Sequence, residues 1–145
     1  RRIGALIVIE RETGLRDFVE SGIELDARLT RELLISIFMP VSPLHDGGVI
    51  VGNGRILTAG CILPLSQNPF INKRYGTRHR AAIGLSEETD AVIVVVSEET
   101  QEISIVKNGV LTTQPDEINL INSLRAIFIE KEGPSHSWKS WFSKR

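Results

Sequence analysis

The residue order predicts an α/β fold of the α+β type: a mixed β-sheet covered by helices, in one domain. Three observations carry this. Strand-like and helix-like stretches alternate as far as Pro40, hairpin signals dominate the middle, and a helix with an apolar stripe closes the folded part. A length of 145 residues, 41% of them apolar, supplies a sizeable core for one domain. No internal repeat is visible.

Residues Ile3 to Ile9 are dense in β-branched side chains and read as a strand buried on both faces. Glu10 to Gly14 is a polar turn. Leu15, Phe18 and Val19 then recur at helical spacing, so a short helix runs to about Ser21 and stops at Gly22. Ile23 to Ala27 reads as a brief edge strand. Thr30 looks like an N-cap with Glu32 in the first turn. Leu33, Leu34, Ile37 and Phe38 form the stripe of a helix that Pro40 closes.

Val49 to Val51 and Arg55 to Leu57 are strands joined through Gly52-Asn53-Gly54, since Asn-Gly between apolar runs is the strongest short hairpin signal. Gly60 to Leu63 continues the sheet until Pro64. Ser66 to Tyr75 is a polar loop. Thr77 caps a helix through Leu85, in which Gly84 is tolerated if the helix packs closely on the sheet. Ala91 to Val96 and Ile103 to Val106 form an antiparallel pair about the turn Ser97 to Thr100. Pro115 opens the last helix, with Ile118, Ile121, Leu124, Ile127 and Phe128 on one face. The folded part is expected to span residues 1–131. Residues 132–145 read as a basic, disordered tail; Trp138, Trp141 and Phe142, spaced as on one helical face, leave a membrane or partner contact as the other reading.

Composition removes several function classes. A net charge of −1 gives no reason to expect bulk nucleic-acid binding, so any basic site must be local. One cysteine, Cys61, allows no internal disulfide and fits a reducing compartment. No apolar run reaches the length of a membrane span. The chain begins Arg1-Arg2 without Met, and it is expected to be a piece of something longer.

Two stretches carry chemistry. In Leu44-His45-Asp46-Gly47-Gly48-Val49-Ile50-Val51, a carboxylate stands at the lip of a strand and two glycines lay the backbone bare beside it. Such a place suits a ribose or a metal. The other reading is a turn in which Asp46 bonds its own backbone and Gly47 supplies a positive φ. In Gly76-Thr77-Arg78-His79-Arg80-Ala81-Ala82, two arginines flank a histidine where a helix begins. Free N–H groups at a helix start, two guanidinium forks and a hydroxyl ask for phosphate. Solvated arginines are the alternative, although they oppose the helix dipole. Like-charge repulsion from the arginines disfavours protonated His79, which suits a hydrogen-bonding orienter better than a general acid.

Together the two stretches resemble the diadenylate cyclase domain, whose signatures are Asp-Gly-Ala and Arg-His-Arg. Here they read Asp46-Gly47-Gly48 and Arg78-His79-Arg80, within Pro43-Leu44-His45-Asp46, Leu63-Pro64-Leu65-Ser66, Gly76-Thr77 and Val96-Ser97-Glu98-Glu99-Thr100. The resemblance spans roughly Ile3 to Ile129 and is nearest the membrane-anchored CdaA-type branch. Gly48 departs from the usual Ala.

The resemblance implies a mixed, twisted sheet surrounded by helices, and an enzyme that converts two ATP to cyclic di-AMP and two pyrophosphates. It implies that Asp46 acts near the ribose 3′-hydroxyl and a divalent metal, Mg²⁺ or Mn²⁺. His45 is a metal ligand on this reading and a turn histidine on the other. Thr77, Arg78 and Arg80 would hold the triphosphate, with Gly47 and Gly48 beside the substrate. Leu63 would face the adenine, Ser97 a phosphate, and Glu98 or Glu99 would help with the metal, Glu98 beside the substrate; packing and a solvated turn stand beside these last roles. The implied partners are ATP, cyclic di-AMP, a second copy of the chain, and a membrane reached through a missing N-terminal segment on its cytoplasmic face. No nucleic acid is implied. A module that senses ATP or cyclic di-AMP without turnover is the competing function, and a purely structural domain is the third.

Overall fold

A computed structural model describes residues 2–132. Seven strands form one sheet in the order β2-β4-β3-β1-β5-β6-β7. The strands are β1 Ala5–Ile9, β2 Ile23–Arg28, β3 Gly48–Gly52, β4 Arg55–Cys61, β5 Val92–Val96, β6 Ile103–Lys107 and β7 Val110–Gln114. The helices are α1 Arg16–Val19, α2 Arg31–Phe38, α3 Thr77–Glu88 and α4 Glu117–Glu132. The sheet is mixed, as expected: β1 runs parallel to β3 and antiparallel to β5.

Side-chain alternation sorts the helices. Leu6, Val8, Ile50, Ile93 and Val95 face one side and pack with Leu15, Ala82 and Leu85 of the α1 and α3 side. On the other face, Ala5, Val49 and Val51 meet Ile37 and Phe38 of α2. Val92, Val94 and Ile105 meet Leu124 and Phe128 of α4. The central strands are therefore buried on both faces, which is why they read as continuous apolar runs. Thr30 caps α2 by accepting from the Leu33 N–H at 3.1 Å, worth about 1 kcal/mol.

Several details depart from the sequence reading. Arg55 to Cys61 is one unbroken strand, where two pieces were expected. β7 was not anticipated, although Asn108-Gly109 makes the same two-residue turn as Asn53-Gly54, both pairs at positive φ. The N-cap of α3 is Gly76, and Thr77 lies inside the first turn. Gly84 does allow close packing, but against a loop: a methyl there would run into the Pro64 carbonyl and crowd the Ser66 N–H. Ile118 is 70% exposed, because the face of α4 that reaches the sheet centres on Leu124 and Phe128. The expected tail with Trp138, Trp141 and Phe142 lies outside the described residues.

Candidate functional site

The topology gathers four strand ends at one edge of the sheet. Parallel β1 and β3 both start there, and antiparallel β4 and β5 both finish there, with Gly48 opposite Cys61 and Ala5 opposite Val96. A cleft of about 880 Å³ opens at this edge and runs to the start of α3. His45, Asp46 and Gly47 line it from one side, and Thr77, Arg78 and His79 line it from the other. Leu63, Ser97, Glu98 and Glu99 also reach it. Two expected members do not. Gly48 lies buried behind Leu63, and Arg80 is absent from the cleft wall. The Arg80 position follows from helix geometry, since residues two apart point to different sides.

The acidic wall is shaped by backbone. After α2, Ser42 N–H donates to the Met39 carbonyl at 2.8 Å, and the Ser42 carbonyl accepts from the His45 N–H at 3.3 Å. The same carbonyl lies 2.8 Å from His45 Nδ1, so Nδ1 carries the hydrogen, a carbonyl being only an acceptor. In the neutral ring the lone pair then sits on Nε2, 3.3 Å from Asp46 Oδ1. Two lone pairs facing one another call for a cation or a proton between them. Asp46 itself is 89% exposed at its side chain. Gly47 follows at φ +90°, and a β-carbon there would lie 2.5 Å from the Cys61 carbonyl oxygen. Only glycine carries the chain from the exposed acid into buried β3 at this point.

A divalent metal has two candidate ligands here, His45 Nε2 and Asp46 Oδ1. Among the described residues no group of three His, Cys, Asp or Glu could hold one. The donor set fits a cation whose remaining ligands are phosphate and water oxygens, as Mg²⁺ and related ions prefer. Cys61, also at the cleft, is fully buried; burial raises its thiol pKa and a hydrogen bond with Thr58 lowers it less, so the thiol is packing.

The basic wall is shaped by packing. Helix α3 begins at Gly76 without a side-chain cap, leaving its first N–H groups for an outside acceptor. Arg78 Nη1 lies 3.2 Å from Glu98 Oε1, and its Nε is buried with no hydrogen-bond partner among the described residues. Its guanidinium lies against Gly4, where a β-carbon would approach Nη1 to 2.6 Å. His79 is 9% exposed and stacks on Tyr75, ring centroids 4.7 Å apart and planes at 21°. Burial pulls the His79 pKa below its usual range; Arg74 and Arg78 lower it further and Glu102 works against them. Of the two flanking arginines expected to disfavour the protonated imidazole, Arg78 contributes and Arg80 does not; burial is the larger cause, and Arg74 from the preceding loop acts ahead of Arg78.

Sequence reasoning missed Gly4, Tyr75 and Arg74. Gly4 had a signal, a glycine opening a β-branched run, which marks close approach of another group. Tyr75 had one as well: an aromatic just ahead of a helix start, one turn from His79. Arg74 belongs to the polar loop; its guanidinium lies over the ring of its neighbour Tyr75, 4.9 Å from the centroid, and its pairing with Glu102 is a tertiary fact.

Comparisons with known proteins agree with this geometry. Residues 1–111 match the family described as DAC, DisA bacterial checkpoint controller nucleotide-binding. The chain is 51% identical to a cyclic di-AMP synthase CdaA of Bacillus subtilis over 98% of its own length and 52% of that protein's. It is 47% identical to a diadenylate cyclase of Listeria monocytogenes, over 96% of this chain and 52% of that one. It thus spans about half the length of these curated relatives. Among solved structures, DacA from Staphylococcus aureus, as the N166C/T172C double mutant, superposes with a TM-score of 0.81 at 49% identity, covering 87% of this chain and 83% of that one. A hypothetical membrane spanning protein from Bacillus cereus gives 0.74 at 54% identity, over 76% and 54%. With the family match covering most of the chain and both signatures meeting in one cleft, this chain belongs to the DAC family of nucleotide-binding domains.

Proposed function

We propose that this chain is a diadenylate cyclase domain, which joins two ATP molecules into cyclic di-AMP and releases two pyrophosphates. The observation that carries this is the pairing of the exposed Asp46 carboxylate with the Arg78–His79 helix start in a single cleft. The names of the relatives, a cyclic di-AMP synthase and a diadenylate cyclase, support the same reading. Each 3′-oxygen attacks the α-phosphorus of the other nucleotide, and the bond to the leaving pyrophosphate breaks.

Asp46, whose side chain is 89% exposed, takes the hydroxyl proton. Arg78 and the N–H groups at the start of α3 bind phosphate oxygens and stabilise the charge that grows as pyrophosphate leaves. Thr77 adds a hydroxyl donor at the same turn. Neutral His79 orients the phosphate by hydrogen bonding. Arg80 lies off the cleft wall, so its loss is expected to be milder than that of Arg78. Leu63 supplies apolar surface for the base, and Ser97 and Glu98 border the phosphates. Gly47, at the cleft wall, lets the backbone come close to the ribose, while Gly48 lies behind Leu63. A Mg²⁺ or Mn²⁺ ion held by His45 and Asp46 would offset phosphate charge and polarise the α-phosphate.

One chain carries one Asp46 and one Arg78, whereas the product has two equivalent bonds. Two copies facing across a two-fold axis supply both sets and make the encounter of two bound ATPs intramolecular. Membrane attachment through a preceding segment, with the domain at the cytoplasmic face where ATP is, accords with the half-length match and with the description of the Bacillus cereus protein. Among the described residues no helix is long and apolar enough to cross a membrane.

The test is incubation with ATP and Mn²⁺, assayed for pyrophosphate and a cyclic dinucleotide. Both products are expected, with turnover per chain falling on dilution as the face-to-face pair separates. ATP binding without product would replace the cyclase by a sensor, and absence of binding would leave a structural domain.

A further inference from the structure

The loop before α3 ends in a stacked column that leads to the site. Glu102, just ahead of β6, pairs with Arg74 Nη2 at 3.5 Å. The same nitrogen donates to the Tyr75 hydroxyl at 3.3 Å, and the Arg74 guanidinium lies 4.9 Å from the Tyr75 ring centroid. The Tyr75 ring then stacks on His79 at 4.7 Å and 21°. The partner the structure gives the His79 ring is thus aromatic. Stacking fixes a ring plane yet leaves both ring nitrogens their hydrogen-bonding capacity, whereas a protein hydrogen bond would occupy one of them. Tyr75 also forms part of the cleft wall together with Arg74 and Gly76.

We propose that Tyr75, steadied by Arg74 and Glu102, is a positioning residue for the reaction: it sets the plane of the His79 imidazole and ties the 66–75 loop to the first turn of α3. The column reaches His79 from outside the two signature stretches, so it adds a determinant of geometry that neither contains. It rests on the cyclase reading for its effect on rate, but not for its effect on His79. The groups facing His79 are Tyr75, Arg74, Arg78 and Glu102. Removing the stacked Tyr75 ring uncovers one face of the imidazole and so weakens the burial that lowers its pKa.

Tyr75→Ala, Tyr75→Phe and the parent are compared in three measurements: the His79 titration by NMR, the ATP dissociation constant, and cyclic di-AMP turnover with Mn²⁺. Tyr75→Ala is expected to move the His79 titration upward and to lower kcat about tenfold, a loss of about 1.4 kcal/mol in transition-state stabilisation. ATP affinity should stay within about twofold, a difference of a few tenths of a kcal/mol. Tyr75→Phe keeps the ring and should recover most of the rate and the parental titration. If Tyr75→Ala loses its fold by circular dichroism, Tyr75→Leu, which fills the volume without a flat ring, takes its place with the same expectation. A ringless variant with parental kcat and His79 titration, or Tyr75→Phe as impaired as Tyr75→Ala, overturns the proposal. A parent that makes no cyclic dinucleotide defeats the cyclase reading instead. The His79 titration then decides the positioning role alone: a shift in Tyr75→Ala but not in Tyr75→Phe sustains it, and equal titrations end it.

Discussion

The two walls of the cleft are built by opposite means. On the acidic wall the backbone is closely specified and the functional side chain is loose: Gly47 has no room for a β-carbon, while the Asp46 side chain is 89% exposed. On the basic wall the side chains are packed: Arg78 lies against Gly4 and Glu98 with 23% exposure, and His79 is held by Tyr75. A group that takes a proton from a mobile hydroxyl gains from freedom to follow it. Groups that stabilise developing charge gain from being fixed in advance, because no reorganisation is then needed as the reaction proceeds. The division of labour in the proposed mechanism thus has a counterpart in how each wall is packed.

The sharpest break in this comparison comes from the acid itself. Asp46→Asn should abolish cyclisation while ATP affinity stays within about tenfold, or 1.4 kcal/mol. Near-normal turnover by the variant would remove Asp46 from the mechanism. Excess Asp46→Asn chains mixed with parent chains should also poison the parent, because in the proposed face-to-face pair each product draws on both copies.

Next in size is the basic wall. Arg78→Ala should lower kcat by about two to three orders of magnitude, the usual effect of losing one preorganised donor. Arg78→Lys should not restore it, since a point charge neither fills the seat against Gly4 nor offers the planar fork. Arg80→Ala should cost clearly less, given its place off the cleft wall. Equal losses at Arg78 and Arg80 in steady-state kinetics would dissolve the distinction between them.

Smaller again is the backbone of the acidic wall. Gly47→Ala forces an L side chain to φ +90° and onto the Cys61 carbonyl. A stability loss of about 1–3 kcal/mol from the backbone conformation is expected, with the clash adding to it, read from urea midpoints at constant slope. The smallest effect is at Gly48, whose φ is not in the left-handed region. A β-carbon there would meet Leu63 Cδ1 at 3.0 Å and Leu6 Cδ2 at 3.6 Å. If Leu63 yields by a few tenths of an ångström, Gly48→Ala stabilises by about 0.4–1 kcal/mol through the unfolded chain. A loss above that size would show that Leu63 is held in place and that its position at the cleft matters.

By itself the sequence determined the elements whose cause is local. Thr30 caps α2 because a hydroxyl three residues before an amide meets it in a helix start. Asn53-Gly54 turns β3 into β4 because both residues accept positive φ. The buried strands announced themselves because a strand covered on both faces must be apolar throughout. The two stretches that form the cleft were legible for a related reason: an acid before two glycines, or two arginines at a helix start, makes poor packing, so its chemistry stands out.

Only the tertiary structure decided the rest. β7 has exposed Val110, Thr112 and Thr113, so it shows no apolar alternation; its order comes from pairing with β6. Thr77 resembled a cap, yet the chain entered the helix one residue earlier. Arg78 and Arg80 looked equivalent until the helix turned them apart. The seat of Arg78 on Gly4 and the pairing of Arg74 with Glu102 join residues distant in the chain. Nothing in a local pattern encodes such contacts, because they arise only when the sheet brings the starts of β1 and β3 beside the ends of β4 and β5.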